Sequence, residues 1–274
     1  MRAREAAADA AERLAAAGCP SPLVDAEWLV AHVIDTSRSA LYADDRPLSD
    51  HELERLETLV ARRGTREPLA YVLGEWGFRR LTLTVDPRVL IPRPETEVVV
   101  ERCLALLESV RDPRVLDIGV GSGAMALAIA DERPDARVVG TDFSADALDV
   151  ADVNRRRVEV DGRVVLVHGD LTGGAEGPFD LVVSNPPYVR ASEIDSLDPE
   201  VRREPREALV GEGRHEAVAR EALRVLRPGA WLVLEAADGQ AGRVAEMLER
   251  LGYVAIRVSP DLAGRDRVVE GRRS

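Results

Sequence analysis

The chain of 274 residues contains no lysine, so all 37 of its basic side chains are arginines. Glutamine occurs once, at Gln240, and asparagine only at Asn154 and Asn185. A bias this complete reflects a GC-rich genome, and the arginine count alone is no sign of nucleic-acid recognition. Acidic side chains outnumber basic ones, giving a formal net charge of -12. That balance argues against a broad phosphate-binding surface. Arg62, Arg63, Arg66, Arg79, Arg80, Arg88 and Arg93 do make one stretch locally more basic than the rest. Only Cys19 and Cys103 are present, far apart and without metal-ligand spacing. A disulfide framework and a zinc site are therefore not expected, and no metal is called for. No run approaches the length of a membrane span. Residues 1–17 read as a helix studded with Arg, Glu and Asp, without a signal peptide's apolar core. The expected location is cytoplasmic, with no membrane partner.

What is present divides into two rhythms. Residues 3–17 are Ala-rich and stop at Gly18, with Pro20 and Pro22 beyond as further stop signals. Residues 25–34 place Trp28, Leu29, His32 and Val33 at helical spacing. Ser49 with Glu52 three residues on forms a capping box ahead of Leu53, Leu56, Leu59 and Val60, and Gly64 closes that helix. The alternation Leu81-Thr82-Leu83-Thr84-Val85 favours a strand. A proline-rich segment, Leu90 to Glu97, then leads into a helix reaching Leu107. From residue 114 strands and helices alternate: strands at 115–118, 137–141, 164–168, 181–184, 231–235 and 254–258, helices at 123–131, 144–156, 214–226 and 240–251. Such alternation predicts an α/β fold with a mostly parallel sheet covered on both faces. The expected organisation is a helical domain over 1–73, a connector with a β-hairpin and a Pro-rich junction over 74–97, and an α/β domain over 98–274.

Four features converge at the carboxyl ends of the predicted strands, where open α/β sheets bind ligands. The first strand runs into Gly119-Val120-Gly121-Ser122-Gly123, whose glycines permit a tight turn and close approach of a ligand. Its Gly-x-Gly-x-Gly spacing departs from the dinucleotide Gly-x-Gly-x-x-Gly pattern. Asp142 ends the second strand, where a carboxylate can accept hydrogen bonds from a ribose; as a helix N-terminal acid before Ser144 it has a bland reading too. Asp170 follows the third, placed to meet an adenine amino group. Asn185-Pro186-Pro187-Tyr188 follows the fourth. Its two prolines fix φ and remove two backbone donors, leaving a rigid shelf of carbonyl acceptors beside one carboxamide and one ring. That shelf suits a planar NH2 group held by both its hydrogens. The plain alternative is a proline turn closing a strand, but an asparagine in so Asn-poor a chain argues for a role.

This combination resembles the class I S-adenosylmethionine-dependent methyltransferases, whose domain is Rossmann-like. The Asn-Pro-Pro-Tyr element narrows the resemblance to enzymes that methylate an amino nitrogen conjugated to a π system. Gly74-Glu75, Phe78, Leu90-Ile91-Pro92-Arg93-Pro94-Glu95-Thr96-Glu97, Arg203 to Leu209 and Asp261 to Val269 are similar to the release-factor glutamine methyltransferase family, over essentially the whole chain. The resemblance implies transfer of a methyl group from S-adenosylmethionine to the Gln side-chain nitrogen of the Gly-Gly-Gln motif in class I peptide chain release factors. It implies cofactor contacts at Gly119, Val120, Gly121, Ser122, Gly123, Asp142, Asp170, Leu171 and Asn185. It implies substrate contacts at Asn185, Pro186, Pro187 and Tyr188, with Arg93, Pro94 and Glu95 near the mouth, and chemistry carried by Asn185 and Pro186. The N-terminal helices, with the Arg-rich connector, would be the docking surface for the partner protein. Gly211-Glu212-Gly213-Arg214-His215 and Ala236-Ala237 depart from the family pattern, and Leu171 stands where some members carry an aromatic. A ribosomal-protein glutamine methyltransferase shares these motifs. A DNA or RNA amino-methyltransferase would need a basic groove for a flipped base, and no stable nucleic-acid partner is expected. A cofactor-sensing module would not need the acceptor shelf.

Overall fold

The computed structural model describes every residue from Met1 to Ser274, and the chain divides into two compact units. The smaller holds Met1–Glu75 together with Leu197–Arg203; the larger holds Trp76–Ser196 and Glu204–Ser274.

The smaller unit is helical: α1 (Ala3–Ala16), α2 (Pro22–Val33), α3 (Ala40–Ala43), α4 (Asp50–Gly64) and α5 (Leu69–Leu73). The capping box opens α4, with the Ser49 side chain accepting from the Glu52 amide and the Glu52 carboxylate accepting from the Ser49 amide. Pro22 is a correction to the sequence reading. The first helix does stop before it, but Pro22 also begins α2, three residues ahead of the expected start at 25, at the first helical position where its missing N–H costs no hydrogen bond. Small and aliphatic side chains fill this core, with Leu14, Leu29 and Val30 fully buried. Leu197–Arg203 joins the unit through charge: Arg63, buried to 3% exposure, holds Asp25 at 2.8 Å and Glu200 at 2.9 Å. Arg66 holds the other Glu200 oxygen at 2.6 Å.

The larger unit opens with the hairpin β1 (Glu75–Phe78) and β2 (Leu81–Thr84), followed by α6 (Pro94–Leu107), whose N-terminal Pro94 is again pre-set for a helix. The strands and helices that follow are β3 (Arg114–Ile118), α7 (Ala124–Glu132), β4 (Arg137–Asp142), α8 (Ala145–Arg157), β5 (Val164–His168) and β6 (Phe179–Ser184). Then come α9 (Arg206–Leu209), α10 (Arg214–Val225), β7 (Leu226–Glu235), α11 (Ala241–Arg250), β8 (Tyr253–Pro260) and β9 (Asp266–Arg273). One seven-stranded sheet runs in the order β5-β4-β3-β6-β7-β9-β8. Neighbours from β5 to β7 are parallel, while β9 lies antiparallel to both β7 and β8. Apolar clusters cover both faces, one including α6 and α7, the other α10 and α11. The Pro-rich junction and most of the hairpin belong to this unit.

The sequence reading did not foresee β9. Its residues Asp266, Arg267, Glu270, Arg272 and Arg273 make it look like a polar tail. Yet Val268 and Val269 pack into the apolar clusters on the two faces of the sheet, and Glu270 is buried with Arg102 on α6 reaching it by two hydrogen bonds of 2.9 and 3.0 Å. A charge buried with its partner breaks the apolar pattern without breaking the strand. The basic stretch is a second correction. Each of its seven arginines is paired: Arg62 with Glu67, Arg63 and Arg66 with Glu200, Arg79 with Glu132, Arg80 with Asp131, Arg88 with Asp86 and Arg93 with Glu204. What looked like a positive patch is charge-balanced, with Arg63 buried.

Candidate active site

One cavity opens at the carboxyl ends of β3, β4 and β6, where the sequence placed its candidates. Its floor is the turn after β3. Gly119, Gly121 and Gly123 have φ of 78°, 53° and 89°, a region that L side chains rarely adopt. At Gly119 and Gly121 no heavy atom lies within 4 Å of where a Cβ would stand, so the backbone faces open space. Gly123 differs: a Cβ there would meet Leu127 Cδ1 at 2.8 Å, so this glycine serves helix packing. Val120 is buried and packs on Gly140, while the Ser122 carbonyl accepts from Asn154 Nδ2 at 2.8 Å. Asn154 also bonds the Thr84 main chain at 2.7 and 2.9 Å. The second asparagine of the chain thus ties the glycine turn to β2. Val120, Ser122 and Gly123 support the turn without lining the cavity.

Asp142 is fixed by the backbone it faces. Its Oδ2 accepts from the Gly121 amide at 2.9 Å and its Oδ1 from the Ser144 amide at 3.0 Å. Burial pushes this carboxyl up, and those amides oppose the shift. Beneath the turn, Asp117 is fully buried. Its Oδ2 accepts from the Ala126 amide at 3.0 Å, its Oδ1 has no partner, and burial carries its carboxyl up to about 7. Leu171 has a φ of 53°, and its carbonyl accepts from Thr141 Oγ1 at 2.6 Å. This bond holds a non-glycine residue in left-handed backbone and sets Asp170 and Leu171 at the cavity wall. Asp170 is met by Arg214 at 2.7 Å, one of the residues departing from the family pattern.

Asn185 and the two prolines follow directly on the end of β6. Asn185, Pro186 and Pro187 line the cavity; Tyr188 does not. Burial raises the Tyr188 phenol to about 12, so the ring stays neutral. Behind the shelf, the Val189 amide donates to the Leu209 carbonyl at 2.9 Å and the Gly211 amide to the Val189 carbonyl at 3.2 Å. A Cβ on Gly211 would meet the Pro187 oxygen at 2.5 Å, so only glycine lets this segment back the prolines so closely. Asn185 Nδ2 lies 3.4 Å from Thr96 Oγ1, and Thr96 Oγ1 donates to Glu235 Oε2 at 2.6 Å.

Arg93, Pro94 and Glu95 do not line the cavity. Arg93 is turned to Glu204, which also accepts from the Ile91 amide at 3.1 Å, while Pro94 is exposed at the start of α6. Arg88, Val89 and Leu90 stand at the wall in their place, with Pro205, Glu207 and Ala208 from the segment around α9. Sequence reasoning singled out neither group for the site. Leu90 and the Arg203 to Leu209 motif were noted only as family likenesses, and those were the signals available. Chemically the cavity offers a carboxylate with fixed orientation, an apolar strip with an acid at its rim, an open glycine turn, and an amide-plus-carbonyl shelf.

The chain is similar to known methyltransferases in sequence and in fold. A family model described as the PrmC N-terminal domain matches residues 5–74, and the methyltransferase small domain model matches residues 98–240. A release factor glutamine methyltransferase of Caulobacter vibrioides is 39% identical over 96% of this chain and 93% of its own length. One of Deinococcus radiodurans is 40% identical over 100% of this chain and 99% of its own. Among solved structures, the T. thermophilus 16S rRNA methyltransferase in complex with AdoMet and guanosine aligns with a TM-score of 0.52 at 20% identity. It covers 73% of this chain and 50% of its own, a likeness of fold.

Proposed function

The chain belongs to the release factor glutamine methyltransferase family, and from that premise we propose that it methylates the side-chain nitrogen of the Gln in the Gly-Gly-Gln motif of class I peptide chain release factors. S-adenosylmethionine supplies the methyl group, carried on a positively charged sulfur that makes it electrophilic. The residues present fit that cofactor. Asp142 would accept from the two ribose hydroxyls, and the open backbone at Gly119 and Gly121 leaves room a side chain would fill. Leu171 would lie against the adenine, with Asp170 accepting from its amino group.

The remaining chemistry belongs to the shelf, and the observation that carries the reading is that Asn185, Pro186 and Pro187 line the same cavity as Asp142 and the glycine turn. An amide nitrogen is a weak nucleophile because its lone pair is delocalised into the carbonyl, and no ordinary base removes its proton first. Asn185 Oδ1 and the Pro186 carbonyl are acceptors, so together they hold both hydrogens of one NH2 group. Held that way, the nitrogen's lone pair is turned out of conjugation and towards the electrophile as the N–C bond forms. Orientation of this kind supplies about 7–11 kcal/mol in favourable cases. The two fixed carbonyl dipoles then face the developing positive charge on nitrogen. The departing proton is acidic once the nitrogen carries the methyl, so it leaves to solvent after transfer.

The smaller unit is the natural surface for recognising the release factor, since a cavity shaped for one Gln does not distinguish one protein from another. The seven arginines of the basic stretch are each paired with a carboxylate, which favours a protein acceptor over a phosphate backbone. No helix is long and apolar enough to cross a membrane, and a release factor substrate places the reaction in the cytoplasm. The deciding experiment is transfer of labelled methyl to a purified release factor beside its Gly-Gly-Ala variant. Label on the first alone establishes reaction and acceptor; label on neither, with transfer to a ribosomal protein or RNA, overturns the substrate. In the same assay Asn185→Ala should abolish turnover while cofactor affinity falls only modestly.

A further inference from the structure

We propose that Thr96 and Glu235 are positioning residues that fix which way round the Asn185 carboxamide stands, through a hydrogen-bond relay from Glu235 to Thr96 to Asn185. The relay rests on the function proposed above, where Asn185 must present its oxygen, not its NH2, to the substrate.

The three residues come from separate segments and meet at one level of the sheet. In the parallel pairing of β6 with β7, Ser184 stands opposite Leu234, which brings the next residues, Asn185 and Glu235, side by side. Thr96 enters from the first turn of α6. Glu235 is 2% exposed and Thr96 5% exposed, so solvent does not scramble their bonds. An ionised carboxylate only accepts, whereas a hydroxyl has one proton to give and lone pairs to receive. With the Thr96 proton committed to Glu235 Oε2 at 2.6 Å, only a lone pair is left for Asn185, 3.4 Å away. A lone pair selects the NH2 end of the carboxamide. Oδ1 is thereby turned away from Thr96, free to accept from the substrate amide. Reversing the carboxamide would set oxygen against oxygen and offer the substrate donors where it also brings donors.

The relay has a built-in dependence on the charge of Glu235. Burial lifts that carboxyl to about 7; the Thr96 hydrogen bond, Arg267 and Arg93 pull it down, and Glu95 pushes it up. His215, kept neutral by burial, sits with Nε2 2.8 Å from the Glu235 carbonyl oxygen, and the Tyr188 phenol stays uncharged. Once protonated, Glu235 gains a donor. Its proton goes to Thr96 Oγ1, the hydroxyl proton is released towards Asn185, and the selection of the NH2 end is lost. The oriented state therefore belongs to the alkaline side and fades as pH falls through about 7.

The sequence makes the test direct. With two asparagines and one glutamine, the full chain has only three side-chain carboxamide NH2 groups, from Asn154, Asn185 and Gln240. A 15N-correlated proton spectrum shows them as three pairs, and Asn185→Ala identifies the Asn185 pair by its loss. We expect that pair to shift on titration across about pH 6–8 in the wild-type chain and to stand still in Thr96→Val and in Glu235→Gln. An Asn185 pair that does not titrate in the wild type, or titrates unchanged in Thr96→Val, overturns the relay. This readout needs no turnover, so a failure to methylate release factor would sink the function and leave the relay judged on its own. Where transfer is observed, Thr96→Val should lower kcat about 10- to 100-fold with cofactor affinity and KM little changed, and Thr96→Ser should restore it. Equal loss in Val and Ser variants would make Thr96 a packing residue only.

Discussion

Asp142 gives the sharpest test of the cofactor half, because its two oxygens are engaged by two different backbone amides. Gly121 N–H points at Oδ2 from 2.9 Å and Ser144 N–H at Oδ1 from 3.0 Å. An asparagine at this position keeps the size and shape but owns only one acceptor oxygen. Whichever way its carboxamide turns, its NH2 faces one of the two N–H donors. The free chain loses one hydrogen bond to a charged group, about 1.5–3 kcal/mol, and leaves a buried donor unsatisfied. The consequence is largest in the glycine turn, since Gly121 is held in left-handed backbone by this contact and by nothing within 4 Å on its open side.

For binding, the acceptor that remains free no longer carries charge, so the ribose hydroxyls lose one charge-assisted bond. At about 1.5–3 kcal/mol this weakens affinity about 10- to 150-fold. The assay is isothermal titration of Asp142→Asn with S-adenosylmethionine and with S-adenosylhomocysteine, which carries the same ribose without the methyl. Both ligands should weaken by the same factor, because Asp142 is placed against the sugar and not the sulfur. An affinity within about threefold of wild type would refute the placement. A loss confined to one ligand would put Asp142 near the reacting atoms instead.

Three further outcomes follow from particular contacts. Gly211→Ala drives a Cβ into the Pro187 oxygen and ring, at 2.5 and 2.6 Å, so the shelf must move; kcat should fall about 10- to 100-fold with cofactor affinity retained, measured by steady-state kinetics beside calorimetry. Arg63→Met strands Asp25 in the helical core and leaves Glu200 to Arg66 alone; unfolding in urea should show a loss of about 3–5 kcal/mol, and a loss under about 1 would mean Asp25 finds another partner. Asp117 is held near 7 by burial, above its ordinary value of about 3.9, so the ionised form is the costly one when folded. Its contribution to stability is present in acid and is lost as pH rises from about 4 through 7. Asp117→Asn should therefore melt higher than the wild type at pH 8 and no higher at pH 4.5, read by calorimetry without ligand.

The parts of the fold that were legible in the sequence are those whose signal is local. Ser49 and Glu52 announce a helix start, the glycines after Ile118 announce a turn, and apolar runs bounded by polar residues announce buried parallel strands. What escaped depended on partners far along the chain. β9 looked polar because the ion pair that lets Glu270 be buried comes from Arg102 on another element. The arginines between the two halves looked like a patch because four of their acids, at 131, 132, 200 and 204, lie far along the sequence. Residues 197–203 read as part of one catalytic stretch, and Glu200 meeting Arg63 and Arg66, with Arg203 donating to the Thr65 carbonyl, assigns them to the helical unit. At the site, the glycine turn, Asp142, Asp170 and the Asn-Pro-Pro shelf could be named from sequence because each is a residue type with few other uses at a strand end. Thr96 and Glu235 could not. Each is ordinary in its own segment, and their meaning lies in a distance that spans 139 residues.

The need for such a pair follows from the chemistry itself. A glutamine side chain and an asparagine side chain end in the same carboxamide, so Asn185 and its substrate are the same group facing itself. Nothing within the carboxamide decides which of the two gives and which receives; turned one way Asn185 is an acceptor for the substrate NH2, turned the other it is a competing donor. The prolines remove this ambiguity from the main chain, since they carry no N–H, but they do not touch the side chain. Symmetry has to be broken from behind, by a group that can only receive, passed through one that can do either. A buried carboxylate and a threonine hydroxyl meet those two requirements, and an apolar or wholly amide surround meets neither. Replacing Glu235 by glutamine would put a third carboxamide into the chain of contacts and return the choice to chance, which is why its effect should fall on the orientation of Asn185 before it falls on stability.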